Sequence, residues 1–335
     1  MYSWQHNQWQ QITQRAKLPH ALLLRGTAGT GKHDFARELA QALLCSAPKD
    51  DKTACKLCPS CIWFAEDGHP DFKLISPEDA ELSDDAPKKK STKKSQISVA
   101  QIRQLIDYLN LSSHQVNARR IVLISPAETL NMASANALLK MLEEPPTNTL
   151  FLLVSSQPQR LLATIVSRCQ AIDMPLPATT EALTWLDSQG VSNSVSALNL
   201  AGGAPLLALQ IAEEGDVIAT LTKHLSQGEK LDAFVCAPLF TGLGMERAID
   251  TLQKWIFDLA ACKLAQSLHY HVSCSNVLQG LCKSVNLQGL LRFQQQLLEA
   301  KKLANHPLNS ELQLENLLLQ YTQLFKPVKL KLIKH

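Results

Sequence analysis

Ala21-Leu22-Leu23-Leu24-Arg25-Gly26-Thr27-Ala28-Gly29-Thr30-Gly31-Lys32 is the stretch that decides the fold. Four apolar residues in a row read as a buried strand, and the glycine-rich turn after them ends it. Phe35, Leu39, Ala42 and Leu43 then recur at helical spacing, so the segment reads strand, loop, helix. Further apolar strands are expected at Phe72 to Ile75, Ile121 to Ile124 and Leu150 to Val154, with helical patterns between them at Val99 to Leu109 and Met132 to Glu144. Strands alternating with helices predict a parallel α/β sheet.

Past Met174-Pro175-Leu176-Pro177 the strand signals stop, and the prolines mark a boundary. A helical unit follows at Thr180 to Glu213, broken at Ala201-Gly202-Gly203-Ala204-Pro205. Arg247 to Leu264, Leu287 to Leu303 and Asn309 to Phe325 then carry apolar residues at i, i+3, i+4 spacing. The chain therefore divides into an α/β domain over 1–174, a small helical domain over 175–215 and an all-helical domain over 216–335. A length of 335 residues suits two or three domains.

The composition is that of a globular protein: 45% of residues are hydrophobic and 19% charged, which excludes a largely disordered or fibrous chain. There is no apolar run of 18 residues and no signal-peptide pattern at Met1-Tyr2-Ser3-Trp4, so the expectation is a cytoplasmic protein with no membrane partner. A net charge of +3 is too mild to mark a nucleic-acid binder. From Glu78 to Lys94, five acidic residues precede five lysines. This stretch has little to bury and reads as a solvated loop.

Gly26 to Lys32 fits the first seven positions of G-x-x-x-x-G-K-[ST], a loop whose backbone N–H groups surround phosphates while the lysine reaches their outer oxygens. The eighth residue is His33, and an imidazole replaces the hydroxyl poorly because Mg²⁺ prefers oxygen ligands. The strand at Ile121 to Ile124 should end in an aspartate for the same metal, yet Ser125-Pro126-Ala127-Glu128 follows. Glu128 lies two positions too far along and is expected to open the next helix. Without both magnesium ligands, the domain is predicted not to hydrolyse ATP.

Cys45, Cys55, Cys58 and Cys61 have the spacing C-x9-C-x2-C-x2-C. Thiolates this close in sequence suit tetrahedral Zn²⁺, and four protein ligands describe a structural site with no open position. Buried free cysteines are the alternative. His69, in Gly68-His69-Pro70-Asp71, is a spare ligand or a turn-forming residue. Asn136-Ala137-Leu138-Leu139-Lys140-Met141-Leu142-Glu143-Glu144-Pro145-Pro146 reads as a helix stopped by two prolines. Arg168 in Ser167-Arg168-Cys169, taken alone, reads as a surface arginine or half of a salt bridge.

Taken together, the Gly26 to Lys32 loop, the four-cysteine insert, Asn136 to Pro146 and Ser167-Arg168-Cys169 resemble the bacterial clamp-loader AAA+ family over roughly residues 18–215. The resemblance implies a RecA-like parallel-sheet domain with a zinc-module insert, a small helical lid and a C-terminal helical collar that joins subunits. It implies that Arg168 is an arginine finger reaching the γ-phosphate of ATP on a neighbouring subunit. It also makes Ser155 and Ser156 the sensor position on the fourth strand. The second sensor arginine, expected after Gly202-Gly203, is replaced by Leu206 and Leu207.

Gly26, Gly29, Gly31 and Lys32 become a vestigial nucleotide site with no ATP binding in cis, and Zn²⁺ on Cys45, Cys55, Cys58 and Cys61 the one cofactor. The chain is then a non-hydrolysing stator within a DNA polymerase III holoenzyme, a DNA-directed DNA polymerase. Its implied partners are the motor (gamma/tau) subunits, the delta subunit, the sliding clamp and primed DNA. Two rivals stand beside this reading. One is an active AAA+ motor holding Mg²⁺ through water, with Lys32 still binding nucleotide; the other is a DNA-binding unit made of the zinc module and the lysines.

Overall fold

The computed structural model describes residues 1–77, 96–110, 119–304 and 309–325; the charged segment from Glu78 to Lys94 lies outside them. The described chain separates into two compact units, Met1–Ala178 and Thr179–His335.

The first unit is built on five parallel strands: β1 (Ala21–Arg25), β2 (Phe72–Ile75), β3 (Arg120–Ile124), β4 (Thr149–Ser155) and β5 (Gln170–Asp173), in the order β2-β3-β4-β1-β5. Its helices are α1 (His6–Thr13), α2 (Lys32–Leu44), α3 (Pro59–Ala65), α4 (Val99–Asn110), α5 (Met132–Glu143) and α6 (Ala163–Arg168). The apolar runs are continuous because both sheet faces are covered. Leu22, Leu24, Ile121, Leu123, Leu150 and Leu152 pack with Trp9, Phe35 and Leu39 on one face. Ala21, Leu23, Val122, Ile124, Phe151 and Leu153 pack with Leu105, Leu138 and Ile165 on the other. This alternation is the period of two that a strand imposes.

The four expected strands and the helices at Val99 and Met132 are present. β5 has no apolar run: of its four residues only Ile172 is buried, and pairing with β1, not hydrophobic patterning, defines it. The strand order is the RecA-like arrangement that the resemblance implies. It puts β1 between β4 and β5, so the loop after β1 opens at the carboxyl edge of the sheet, where ligands of such folds bind.

The second unit is all helical among the described residues: α7 (Thr179–Ser188), α8 (Ser194–Leu200), α9 (Pro205–Glu213), α10 (Gly215–Leu225), α11 (Ala233–Gly242), α12 (Met245–Ala265), α13 (Ser275–Ser284), α14 (Leu287–Lys302) and α15 (Ser310–Gln323). It holds two cores. Ala182, Leu186, Leu198, Ala208 and Ile211 join α7 to α9. A larger cluster, including Leu225, Phe240, Leu252, Trp255, Leu290, Phe293 and Tyr321, joins α10 to α15. Within the larger core Trp255 Nε1 donates to Tyr321 Oη at 2.9 Å, and Tyr321 Oη donates to the Leu225 carbonyl at 2.6 Å, which satisfies the polar atoms of both rings. No single described helix is long and apolar enough to cross a membrane.

Candidate functional site

Gly26 follows the last residue of β1, and a side chain there is impossible without movement: an added Cβ would lie 2.2 Å from the Met174 carbonyl oxygen. The loop closes at Gly31, whose φ of +80° lies in the left-handed region that glycine tolerates. Lys32 then starts α2. Instead of pointing into an open cradle, the Lys32 side chain is buried, and its Nζ donates to the Thr27 carbonyl at 2.5 Å. Burial lowers its pKa to about 8, and the charge of Glu128 opposes that shift only in part.

Three residues that motif and spacing do not single out cover this loop. Gln5 Nε2 donates to the Thr30 and Gly31 carbonyls at 2.9 Å each, and Trp4 Nε1 donates to the Thr30 carbonyl at 3.1 Å. Tyr2 stacks on Trp4 with ring centroids 4.8 Å apart and donates its hydroxyl to Asp34 at 2.8 Å. A Cβ on Gly31 would meet the Tyr2 ring at 2.4 Å. The N-terminal segment thus packs against the end of the loop and the start of α2. The polar and aromatic run at residues 2–5 carries no spacing signal that ties it to a loop 25 residues away.

The position after Lys32 is satisfied internally. His33 Nδ1 lies 3.0 Å from Ser125 Oγ, and burial lowers the imidazole pKa, so the ring faces the serine uncharged near neutral pH. Glu128 does not open the following helix. It sits in a 3-10 turn, Ala127–Thr129, while α5 starts at Met132 and is capped by Asn131, whose Oδ1 accepts from Ser134 N at 2.9 Å. The Glu128 carboxylate reaches across to accept from Ser156 N at 3.0 Å. Ser155, at the end of β4, is fully buried.

Arg168 is the last residue of α6, two positions before β5. Strands β1 and β5 are parallel, with Leu22 opposite Gln170 and Arg25 opposite Asp173. Arg168 therefore sits at the amino edge of the sheet, and the Gly26 to Lys32 loop at the carboxyl edge. The four residues of β5 alone span roughly 13 Å. Arg168 Nη1 donates to the Thr164 carbonyl at 2.9 Å, and Nη2 lies 2.6 Å from Glu143 Oε1, with about a third of the side chain open to solvent.

The four cysteines converge. Their sulfurs all lie within 4.8 Å of one another, with Cys45–Cys55, Cys45–Cys58 and Cys55–Cys61 at 3.5, 3.8 and 3.9 Å. The edge of a tetrahedron with bonds of about 2.3 Å is about 3.8 Å, so a metal ion fits this set. Cys55 N donates to Cys45 Sγ at 3.3 Å, and Leu57 N and Cys58 N donate to Cys55 Sγ at 3.4 and 3.3 Å, bonds that favour thiolates. His69 stands outside the cluster: its Nε2 lies 2.9 Å from Ser60 Oγ and its Nδ1 accepts from Asp71 N at 3.1 Å. It fixes the turn before β2. Cys61 and Phe64 pack into the core under α2, which anchors the insert.

Comparison with known proteins adds the following. Residues 3–177 match the family model described as DNA polymerase III, delta subunit, and residues 213–323 match that described as DNA polymerase III, delta subunit, C terminal. The chain is 33% identical to DNA polymerase III subunit delta' of Pseudomonas aeruginosa, over 98% of this chain and 99% of that protein. It is 34% identical to the subunit delta' of Escherichia coli, over 57% of this chain and 54% of that one. Among solved structures, a DNA polymerase III gamma subunit-related protein of Thermotoga maritima aligns with 96% of this chain and 100% of its own, at a TM-score of 0.51 and 18% identity. At that identity the likeness concerns fold alone.

Proposed function

The chain belongs to the family of DNA polymerase III delta-prime subunits, and from that premise we propose that it is the stator of a bacterial clamp loader, a subunit that completes a neighbour's ATP site without turning over ATP itself. The observation that carries this reading is the lack of both magnesium ligands: His33 stands at the hydroxyl position of the loop, and Ser125-Pro126 follows β3 where an aspartate is needed. The Tyr2 ring over Gly31 and the His33 to Ser125 contact support the same conclusion. The first packs a ring against the loop, and the second holds the imidazole that replaces the loop hydroxyl.

Arg168 is the residue with the complementary role. A guanidinium at the far edge of the sheet from Lys32 is out of reach of its own loop, but it is oriented by two contacts and partly open to solvent. Such a group stabilises the charge that develops on a γ-phosphate held by another subunit. The motor (gamma/tau) subunits would supply that nucleotide. The delta subunit, the sliding clamp and primed DNA would be the remaining members of the assembly.

Within this reading residues 1–174 form the AAA+ domain, 175–215 the lid and 216–335 the collar through which subunits join. Cys45, Cys55, Cys58 and Cys61 would hold one Zn²⁺, which ties the loop after α2 to the start of α3 and supplies no reactive position. Equilibrium titration of the isolated chain with a fluorescent ATP analogue tests the claim about its own loop. No saturable binding is expected up to about 1 mM, while a Kd near 1 μM, some 4 kcal/mol tighter, would contradict it.

A further inference from the structure

Glu143 is the last residue of α5. A carboxylate is disfavoured there, because the unpaired carbonyl groups of a helix end already carry partial negative charge. The cation that compensates it is Arg168, at 2.6 Å. Arg168 in turn ends α6, where a cation suits the helix end. Both partners stand on rigid supports. Met141 and Leu142, just before Glu143, and Ile165, one turn before Arg168, are buried in the same core cluster, and Pro145-Pro146 follows Glu143 closely.

The pair is half exposed, so its worth to folding is small. Its consequence is orientation. A guanidinium offers five N–H groups in a rigid fork. One N–H of the fork is held by the Thr164 carbonyl and another side by Glu143, which together select a single direction for a long and otherwise mobile side chain.

We propose that Glu143 is a positioning residue for Arg168, holding the guanidinium in the orientation in which it meets the nucleotide phosphate of a neighbouring subunit. This rests on the reading of Arg168 as a finger acting in trans. Displacement of a catalytic group by about 1 Å can cost about 10²-fold in rate, and a loosened fork loses a share of that.

The test is steady-state ATP turnover by the complete loader, with clamp and primed DNA, carrying Glu143→Ala, Glu143→Gln, Arg168→Ala or Glu143→Ala with Arg168→Ala in this chain. Glu143→Ala is expected to lower kcat about tenfold while KM for ATP stays within about twofold. Glu143→Gln keeps an acceptor oxygen and the side-chain shape, and should recover part of the loss. In the Arg168→Ala background, Glu143→Ala should have no further effect, because two residues acting through one group are not additive. A wild-type rate for Glu143→Ala beside a slow Arg168→Ala overturns the positioning role and leaves the finger intact. Additive losses in the double variant overturn it as well, since Glu143 would then act elsewhere. A wild-type rate for Arg168→Ala overturns both.

Discussion

The Gly26 to Lys32 loop and the Arg168 corner flank the same pair of strands, yet one is closed on itself and the other is turned outward. At the loop the polar side chains are turned inward: Lys32 donates to the Thr27 carbonyl, His33 lies against Ser125, and Trp4 and Gln5 donate to the Thr30 and Gly31 carbonyls. At the corner the guanidinium is fixed by Thr164 and Glu143 but stays partly in solvent. Under the proposed reading, the phosphate-loop motif serves as architecture, shaping the turn between β1 and α2, without its chemistry. On the same reading, the oriented cation at the opposite edge supplies charge to a neighbour's nucleotide.

Breaking the closed side of that comparison should damage the fold, not the turnover of nucleotide. The largest effect is expected from Cys58→Ser, which removes one of four converging thiols. Metal content measured by mass spectrometry should fall from about one Zn²⁺ per chain to almost none, with a loss of more than about 4 kcal/mol in denaturant unfolding. Gly26→Ala comes next: its Cβ would collide with the Met174 carbonyl, and chemical denaturation should register a cost of about 3 kcal/mol.

A smaller effect concerns pH. Folded Lys32 releases its proton at about 8, whereas an unfolded lysine holds it to about 10.4. Between those values the unfolded chain binds more protons, so stability should rise with pH across that window, and Lys32→Met should flatten the rise in a series of melting curves. The smallest effect sharpens the comparison. His33→Thr restores the hydroxyl of the motif, but the strand acid is missing and Tyr2 still covers Gly31. ATP turnover by that variant alone should stay at background in a phosphate-release assay.

The sheet was legible because buried parallel strands leave continuous apolar runs, as at Leu22 to Leu24 and Leu150 to Val154. The cysteine centre was legible from its spacing. Other parts were written in tertiary contacts. β5 is an edge strand with one buried residue and is defined by its pairing with β1. The α11 helix is apolar almost throughout and contains Pro238, so it offers no periodicity to read. Glu128, expected to open a helix, is drawn to Ser156 N because that backbone donor at the end of β4 lies within its reach. The cover of Tyr2, Trp4 and Gln5 over the loop, and the contact between Glu143 and Arg168, each join residues 25 or more positions apart. No local pattern encodes such pairs.

The most direct measurement is ATP turnover by a reconstituted loader, with clamp and primed DNA, in which this chain alone carries either Arg168→Ala or Lys32→Ala. The account predicts that Arg168→Ala slows the one site it serves by about 10³-fold or more, while Lys32→Ala leaves turnover within about twofold of wild type, because its loop lacks both magnesium ligands. Turnover lost with Lys32→Ala and kept with Arg168→Ala would mean that this chain is a motor with a working site of its own, and would contradict the account.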